Sequence, residues 1–291
     1  MSIGMPAADV VIVTGADQGY YRFMRGAIES LARTRELHRV DVVVLDLGLT
    51  PEQAQALQSE LSVRVIVPQW PFEPPADIAK RRDLAFAVRP YLPSVVPGYQ
   101  VYMWFDGDAW VQDERFFDAY VQPARAGLLA IVNEKEPVYR FDWRVTRWNL
   151  GNMLLAFGIV DGLRMYFSPQ VNAGVFALHR DSPVWSVWAR RYREAVARAR
   201  KMNMDQHALL AATALDRVPV EYLTGAYNWI CSRARPVFDT VSARFCLPRA
   251  PHEPIAVMHL AGPSKTDVYE IETVGGGRVQ GQLTFGATLA R

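Results

Sequence analysis

The chain has 291 residues, of which 50% are hydrophobic and 21% charged, and this mix excludes a disordered or low-complexity polypeptide. A formal net charge of +2 gives no global pull toward nucleic acid, and the local cluster Arg190-Arg191-Tyr192-Arg193 reads as the solvated face of a helix. Two cysteines, Cys231 and Cys246, are too few for a disulfide framework and lack metal-ligand spacing, so free thiols in a reduced, cytoplasmic setting are expected.

In chain order, the opening MSIGMPAAD has no basic region followed by an apolar core, so no signal peptide is read. The β-branched run VVIVTGAD predicts a first strand ending in a loop at Thr14-Gly15-Ala16-Asp17. Tyr20, Met24, Ala27, Ile28 and Leu31 then recur at helical spacing. Strand, small-residue loop and helix form the unit with which open α/β sheets hold nucleotides. No G-x-G-x-x-G fingerprint is present, so a dinucleotide grip is not supported. A second strand over 40–45 leads to Thr50-Pro51-Glu52-Gln53, a capping-box start for a helix reaching 61. A short strand over 63–67, the turn-rich PQWPFEPP and a helix over 78–88 with Arg89 at its end follow. This alternation predicts a parallel, doubly wound sheet up to that point.

Positions 101–105, VYMWF, have the length and composition of a buried strand, which stops at Asp106-Gly107-Asp108. Residues i and i+2 of an extended chain point to one side, so both carboxylates face the same way. Two such charges ~6 Å apart repel by roughly 3 kcal/mol at an effective dielectric near 20, which a cation would reverse. Gly107 leaves room for a ligand to approach the backbone. The pair suits a hard divalent ion, Mg or Mn, completed by phosphate oxygens, and an acidic turn is the plain alternative.

Further on, 128–132 reads as a strand, 139–148 as a loop with some helix, and 150–160 as a buried helix too short to span a bilayer. A strand over 170–178, a helix from Ser182-Pro183 to about 201, and a second helix opened by Met204-Asp205-Gln206-His207 come next. Strands over 218–223 and 255–260 close the pattern. The last of them runs into His259-Leu260-Ala261-Gly262-Pro263-Ser264-Lys265. His259 offers a nitrogen ligand that makes Mn more natural than Ca, and Lys265 a charge for phosphate, with Gly262 permitting close approach. Gly275-Gly276-Gly277 predicts a turn or a frayed end.

The order TGAD, Arg before an apolar strand ending in DxD, NAG-V, DQ on a helix, YNW and H-x-x-GPxK resembles glycosyltransferase family eight, over residues 9 to 265. The resemblance implies an α/β GT-A fold, with a Rossmann-like nucleotide-binding half, a mixed central sheet and an acceptor-binding half. It implies one such domain over 1–265 and a tail over 266–291. It also implies a metal-dependent, retaining hexosyltransferase that uses a UDP-sugar and a carbohydrate or glycoconjugate acceptor. Carried over by position, Asp106, Asp108 and His259 match the ligands of Mn or Mg. Gly15, Ala16, Asp17 and Tyr20 fall where the first loop holds uridine. Arg89 and Gly107 belong to the donor site, and Asn172, Ala173 and Gly174 line the sugar pocket. Asp205 and Gln206 match the pair beside the anomeric carbon, and Gly262 and Lys265 the diphosphate grip. Thr266-Asp267 stand where the family usually has Pro-Trp, so the local loop differs.

Two other readings fit parts of the pattern. A strand ending in DGD suits phosphatases of the haloacid dehalogenase type, although those carry the motif on their first strand and have Thr or Val where Trp110 stands. A non-catalytic nucleotide-sugar-binding protein would keep the same fold. No transmembrane segment is read, so a lipid-linked acceptor would require peripheral membrane contact.

Overall fold

The computed structural model describes residues 8–35 and 40–290, Pro263 by its backbone alone; the leader reading of residues 1–7 and the end of the tail at Arg291 fall outside them. β1 (Val10–Ala16), α1 (Tyr21–Ala32), β2 (Val40–Asp46), α2 (Pro51–Leu61) and β3 (Arg64–Ile66) form the alternating first half. Thr50 caps α2 as its residues dictate: its hydroxyl accepts from Gln53 N–H and the Gln53 side chain accepts from Thr50 N–H. The helix expected over 78–88 begins only at α3 (Leu84–Val88). Ahead of it Asp83 turns back to accept Lys80 N–H, which tightens residues 81–83 into a 3-10 turn. A 3-10 turn at Arg89–Tyr91 and α4 (Leu92–Val95) lead into β4 (Val101–Phe105), wholly buried as its composition required.

Beyond the DGD turn come β5 (Ala109–Val111), α5 (Arg115–Arg125), β6 (Leu129–Asn133), α6 (Trp143–Phe167), β7 (Val171–His179), α7 (Val184–Ala199), α8 (Asp205–Ala214) and β8 (Val220–Leu223). The chain closes with β9 (Trp229–Ile230), β10 (Val237–Asp239), β11 (Arg244–Cys246), β12 (Val257–His259), β13 (Tyr269–Glu272) and β14 (Arg278–Gly281). The expected buried helix over 150–160 lies inside α6, yet Leu155, Ile159 and Val160 are exposed, because Gly158 breaks the helix at φ 82°, ψ 174° and turns them outward.

The central sheet has the order β3-β2-β1-β4-β7-β6-β8. It is parallel from β3 to β4, antiparallel at β4-β7 and β7-β6, and parallel again at β6-β8. The chain moves outward from β1 to β3 and then returns to β4 on the other side of β1. The ends of β1 and β4 therefore flank the switch point where open sheets bind ligands. A smaller sheet, β5-β12-β9, stands beside it. The tail after 265 is folded: Gly275–Gly277 lie in the turn between β13 and β14, and Ile271, Val279 and Leu283 are buried in the cluster around Trp110, whose indole N–H donates to the Leu283 carbonyl. Cys231 and Cys246 are free and buried.

Candidate active site

The strand end that carries Asp106 and Asp108 is completed from across the chain by β12. Its pairing with β5 sets His259 opposite Ala109, and Leu260 N–H donates to the Asp108 carbonyl. His259 Nε2 lies 3.4 Å from Asp108 Oδ1 and 3.8 Å from Asp106 Oδ2. One ligand atom from each of the three residues falls within 4.8 Å of the others. Two carboxylates and an imidazole form a mixed oxygen and nitrogen donor set that could hold a divalent ion such as Mn.

The orientation of His259 supports that fit. Its Nδ1 is 3.0 Å from Asn228 Oδ1, and Asn228 Nδ2 donates to Asn172 Oδ1 at 2.9 Å. Asn172 Nδ2 in turn donates to Glu134 Oε1 at 2.8 Å. With the Asn228 carbonyl facing the ring, Nδ1 donates to it and Nε2 is the ring atom aimed at the carboxylates, the one that would bind an ion. Asn228 and Asn172 are buried. Burial pushes the Glu134 carboxyl above its ordinary value against the Asn172 hydrogen bond.

Positive charge closes the cluster. Burial disfavours ionisation of both aspartates. At Asp108 it is overcome by His259 and by Lys265, whose Nζ lies 2.8 Å from Oδ2, and the carboxyl falls below the usual range. At Asp106 burial prevails, with the neighbouring Asp108 adding to it, so that carboxyl is raised despite Arg89 and His259. Burial works against charge on His259 too, and Asp108 and Asp106 outweigh it and raise the imidazole. Arg89, buried, reaches two acids at once: Nη2 to Asp106 Oδ1 at 2.5 Å and Nη1 to Asp205 Oδ2 at 2.6 Å. The Trp104 ring lies 4.8 Å from the guanidinium carbon, and its indole N–H donates to Asp106 Oδ1 at 2.7 Å.

The NAG segment enters the site because the β6-β7 ladder is irregular there: Ile131 pairs with Phe176 while Val132 pairs with Asn172. Such a bulge frees backbone groups and re-aims side chains. Ala173 N–H donates to Gln206 Oε1 at 3.1 Å and Gly174 N–H to Asn172 Oδ1 at 2.9 Å, while the Gly174 carbonyl accepts Asp106 N–H. Position 174 must be glycine. A Cβ there would sit 2.5 Å from His259 Cε1, 2.8 Å from Asn172 Oδ1 and 2.9 Å from Asp106 Oδ2. Gly174→Ala is therefore expected to cost about 1–3 kcal/mol by overpacking and to remove the stabilisation of the chain by Mn²⁺, read by thermal unfolding with and without the ion.

Other residues named from sequence divide by role. Gly107 does not open the turn to a ligand: a Cβ there would meet Met24 of α1 at 3.1 Å, so this glycine packs the turn against α1. Gly15 is likewise packed against Leu45 and Leu47, and Ala16 is buried beside them at the end of β1. Asp17 Oδ1 accepts Gly19 and Tyr20 N–H, shaping the first loop. Tyr20 is 45% exposed, and its ring centroid lies 5.1 Å from Lys265 Nζ, so the first loop meets the Gly262–Lys265 turn. Gly262 has φ +65°, which favours glycine at the turn into Lys265. Asp205 and Gln206 open α8, and Trp188 Nε1 donates to the Asp205 carbonyl. Of the residues named from sequence, Arg89 and Lys265 reach the carboxylates of this cluster directly, Asp205 shares Arg89 with Asp106, and Asn172 joins through Asn228. Trp104, Glu134 and Asn228 were missed as site residues, although Asn228 stands in the YNW motif already singled out and Trp104 in the strand itself.

No family model matches the sequence, and no curated protein matches it. Solved structures do. The galactosyltransferase LgtC, in complex with donor and acceptor sugar analogues, aligns with TM-score 0.50 at 16% identity over 87% of this chain and 88% of that one. The glycosyltransferase GlyE of Streptococcus pneumoniae TIGR4 aligns with TM-score 0.54 at 14% identity over 89% and 56%. Mouse xyloside xylosyltransferase 1 aligns with TM-score 0.51 at 13% identity over 90% and 99%. The chain has the GT-A fold of these glycosyltransferases.

Proposed function

We propose that this chain is a metal-dependent retaining glycosyltransferase of the family-eight kind, moving a hexose from a UDP-sugar to a hydroxyl of a glycan or glycoconjugate. The observation that carries the reading is the convergence of Asp106, Asp108 and His259, with Lys265 beside them, at the carboxyl ends of β1 and β4. Open α/β sheets take ligands at that switch point, which supports a nucleotide-sugar diphosphate there, and the DGD motif on a fourth strand next to an antiparallel neighbour does not suit the dehalogenase-type phosphatase.

Asp106, Asp108 and His259 would hold Mn²⁺ or Mg²⁺, which when bound offsets the negative charge of a diphosphate. Lys265 would exchange Asp108 for a phosphate oxygen, a charge-assisted contact that strengthens as the diphosphate departs. The exposed Tyr20 ring offers a stacking face for uracil, and Asp17 Oδ2 remains to accept from the base. Gln206 has its Oε1 occupied by Ala173, so its Nε2 is the polar end left for the sugar. Asp205 is held as a counter-ion by Arg89, which argues against its use as a nucleophile. Retention then follows from front-face attack: the acceptor oxygen bonds to the anomeric carbon as the carbon–diphosphate bond breaks, and a diphosphate oxygen takes the acceptor proton.

Thermal unfolding in a panel of nucleotide sugars, with and without Mn²⁺, tests the proposal. UDP-sugars with metal are expected to add about 2.7 kcal/mol of stability at 100 times their dissociation constant, and slow hydrolysis of the preferred donor should follow. A flat response to every nucleotide sugar in the presence of metal would sink it.

A further inference from the structure

We propose that α6 is a membrane-seating surface, its outer apolar face entering the headgroup and upper acyl region of an anionic bilayer while flanking arginines pair with lipid phosphates. Among the described residues thirteen large apolar side chains are exposed, and eight of them lie between positions 141 and 167. Single exposed apolar residues are ordinary, whereas a concentration of this kind marks an interaction surface.

The geometry of α6 explains the exposure. In a straight helix, residues eight apart are about 12 Å apart along the axis. Here a Cβ on Gly162 would lie 3.0 Å from Leu154 N, so the half after Gly158 folds back on the half before it. In that second half Ile159, Val160, Leu163 and Phe167 occupy an arc of about 100° at ~100° per residue. All four are exposed, Ile159 by 72% and Phe167 by 76%, while Gly162 and Met165 on the other side are buried. One half-helix therefore carries an apolar face in the core and another in solvent. The first half adds Trp143, Trp148 and Leu155, also exposed and on one side with Arg144 and Arg147.

Charge selects the occupant. Asp142 is used as the cap of α6, accepting Arg144 and Val145 N–H, and Asp161 pairs with Arg164 at 3.3 Å. Arg140, Arg144 and Arg147 have no carboxylate partner among the described residues; Arg147 instead lies 5.4 Å from the Trp143 ring. A second copy apposed through this face would set these arginines against their own equivalents, whereas an anionic lipid surface complements them. Exposed tryptophans next to arginines suit the interface between headgroups and acyl chains. Among the described residues no helix is long and apolar enough to cross a membrane, so the segment lies in the surface plane.

If the glycosyltransferase reading holds, the same surface defines the acceptor class as a lipid-linked glycan. The Trp148 ring centroid lies 5.5 Å from that of His207, the residue after Gln206, and Gln170, whose amide caps the Met165 and Tyr166 carbonyls, leads directly into the Asn172–Gly174 segment.

The test is sedimentation of the full chain with vesicles of phosphatidylcholine alone and of phosphatidylcholine with phosphatidylglycerol, without donor or metal. Binding to the anionic vesicles is expected, weakening as salt rises. Arg144→Gln and Arg147→Gln should each weaken it about five-fold, the equivalent of ~1 kcal/mol per arginine. Ile159→Asp with Phe167→Asp should abolish it while the unfolding midpoint and donor hydrolysis stay at wild-type values. Wild-type chain left in the supernatant with both vesicles, equal binding to both, or undiminished binding by the double aspartate variant would overturn the proposal. So would light scattering that shows a dimer dissolved by that variant without vesicle binding, which assigns the face to a second copy. Because vesicle binding needs no nucleotide sugar, its failure leaves the activity untouched, and an inactive chain would still sediment.

Discussion

Asp108→Asn is expected to lower nucleotide-sugar turnover at least ~10³-fold, about 4 kcal/mol of transition-state stabilisation, while the chain still folds. The substitution keeps the size of the side chain and removes the charge that meets both His259 Nε2 and Lys265 Nζ. An amide cannot supply an anionic oxygen to a hard cation, so the Mn²⁺-dependent rise in thermal stability should vanish together with turnover. The cost to folding is smaller, about 1.5–3 kcal/mol for the lost charge-assisted hydrogen bonds. Its sign depends on pH. Because the folded Asp108 carboxyl lies below its unfolded value, it contributes stability at neutral pH that is lost as pH falls through the acid range. The asparagine variant lacks that contribution and should show a shallower acid unfolding limb. Wild-type turnover sustained in excess chelator, or full turnover by the variant, would refute the metal assignment.

Arg89→Met should destabilise the chain by roughly 3–5 kcal/mol, the cost of leaving buried carboxylates without their cation. Arg89 is 8% exposed and carries both Asp106 and Asp205, so one substitution strands two acids. Hydrophobic volume is nearly conserved, which assigns the loss to charge rather than to a cavity. Arg89→Lys should recover only part, since a single ammonium cannot span both acids in the way the planar fork does. Denaturant midpoints of Arg89→Met, Asp205→Asn and the double variant form the measurement. The pair is coupled, so the double variant should be more stable than the sum of the single losses predicts. Strict additivity, or a loss below about 1 kcal/mol for Arg89→Met, would show that the three groups do not act as a unit.

The first half of the fold was legible because its signals are local. The Thr50-Pro51-Gln53 cap fixes the start of α2, and five buried residues running into two carboxylates identify β4 and its end. What stayed illegible depends on contacts between distant segments. β5, β9, β10 and β11 are two or three residues long, too short for a period, and they exist as strands only through their partners. The pairing of β12 with β5 brings His259 to Asp108 across about half the chain, so spacing could offer that histidine as a ligand but not put it beside these carboxylates. The bulge at Asn172–Gly174 comes from the register of β6 against β7, which the sequence of β7 does not contain. Gly158 lies inside the apolar run read as a buried helix over 150–160. Only its backbone reversal shows that Leu155, Ile159 and Val160 face outward instead of into the core.

The hydrogen bonds linking His259 to Glu134 run in one direction only. Each primary amide has a donating end and an accepting end: turning Asn172 around would set its oxygen against Glu134 and its N–H against those of Asn228 and Gly174, and turning Asn228 around would set its oxygen against Asn172 Oδ1. Glu134 Oε1 accepts from Asn172 at the far end of the row. The orientation of the imidazole is thus tied to a carboxyl group just beyond β6, two side chains removed from the candidate ligand. Reversing the Asn228 amide would present an N–H to Nδ1 and so call for the other ring tautomer, with the ring itself unmoved.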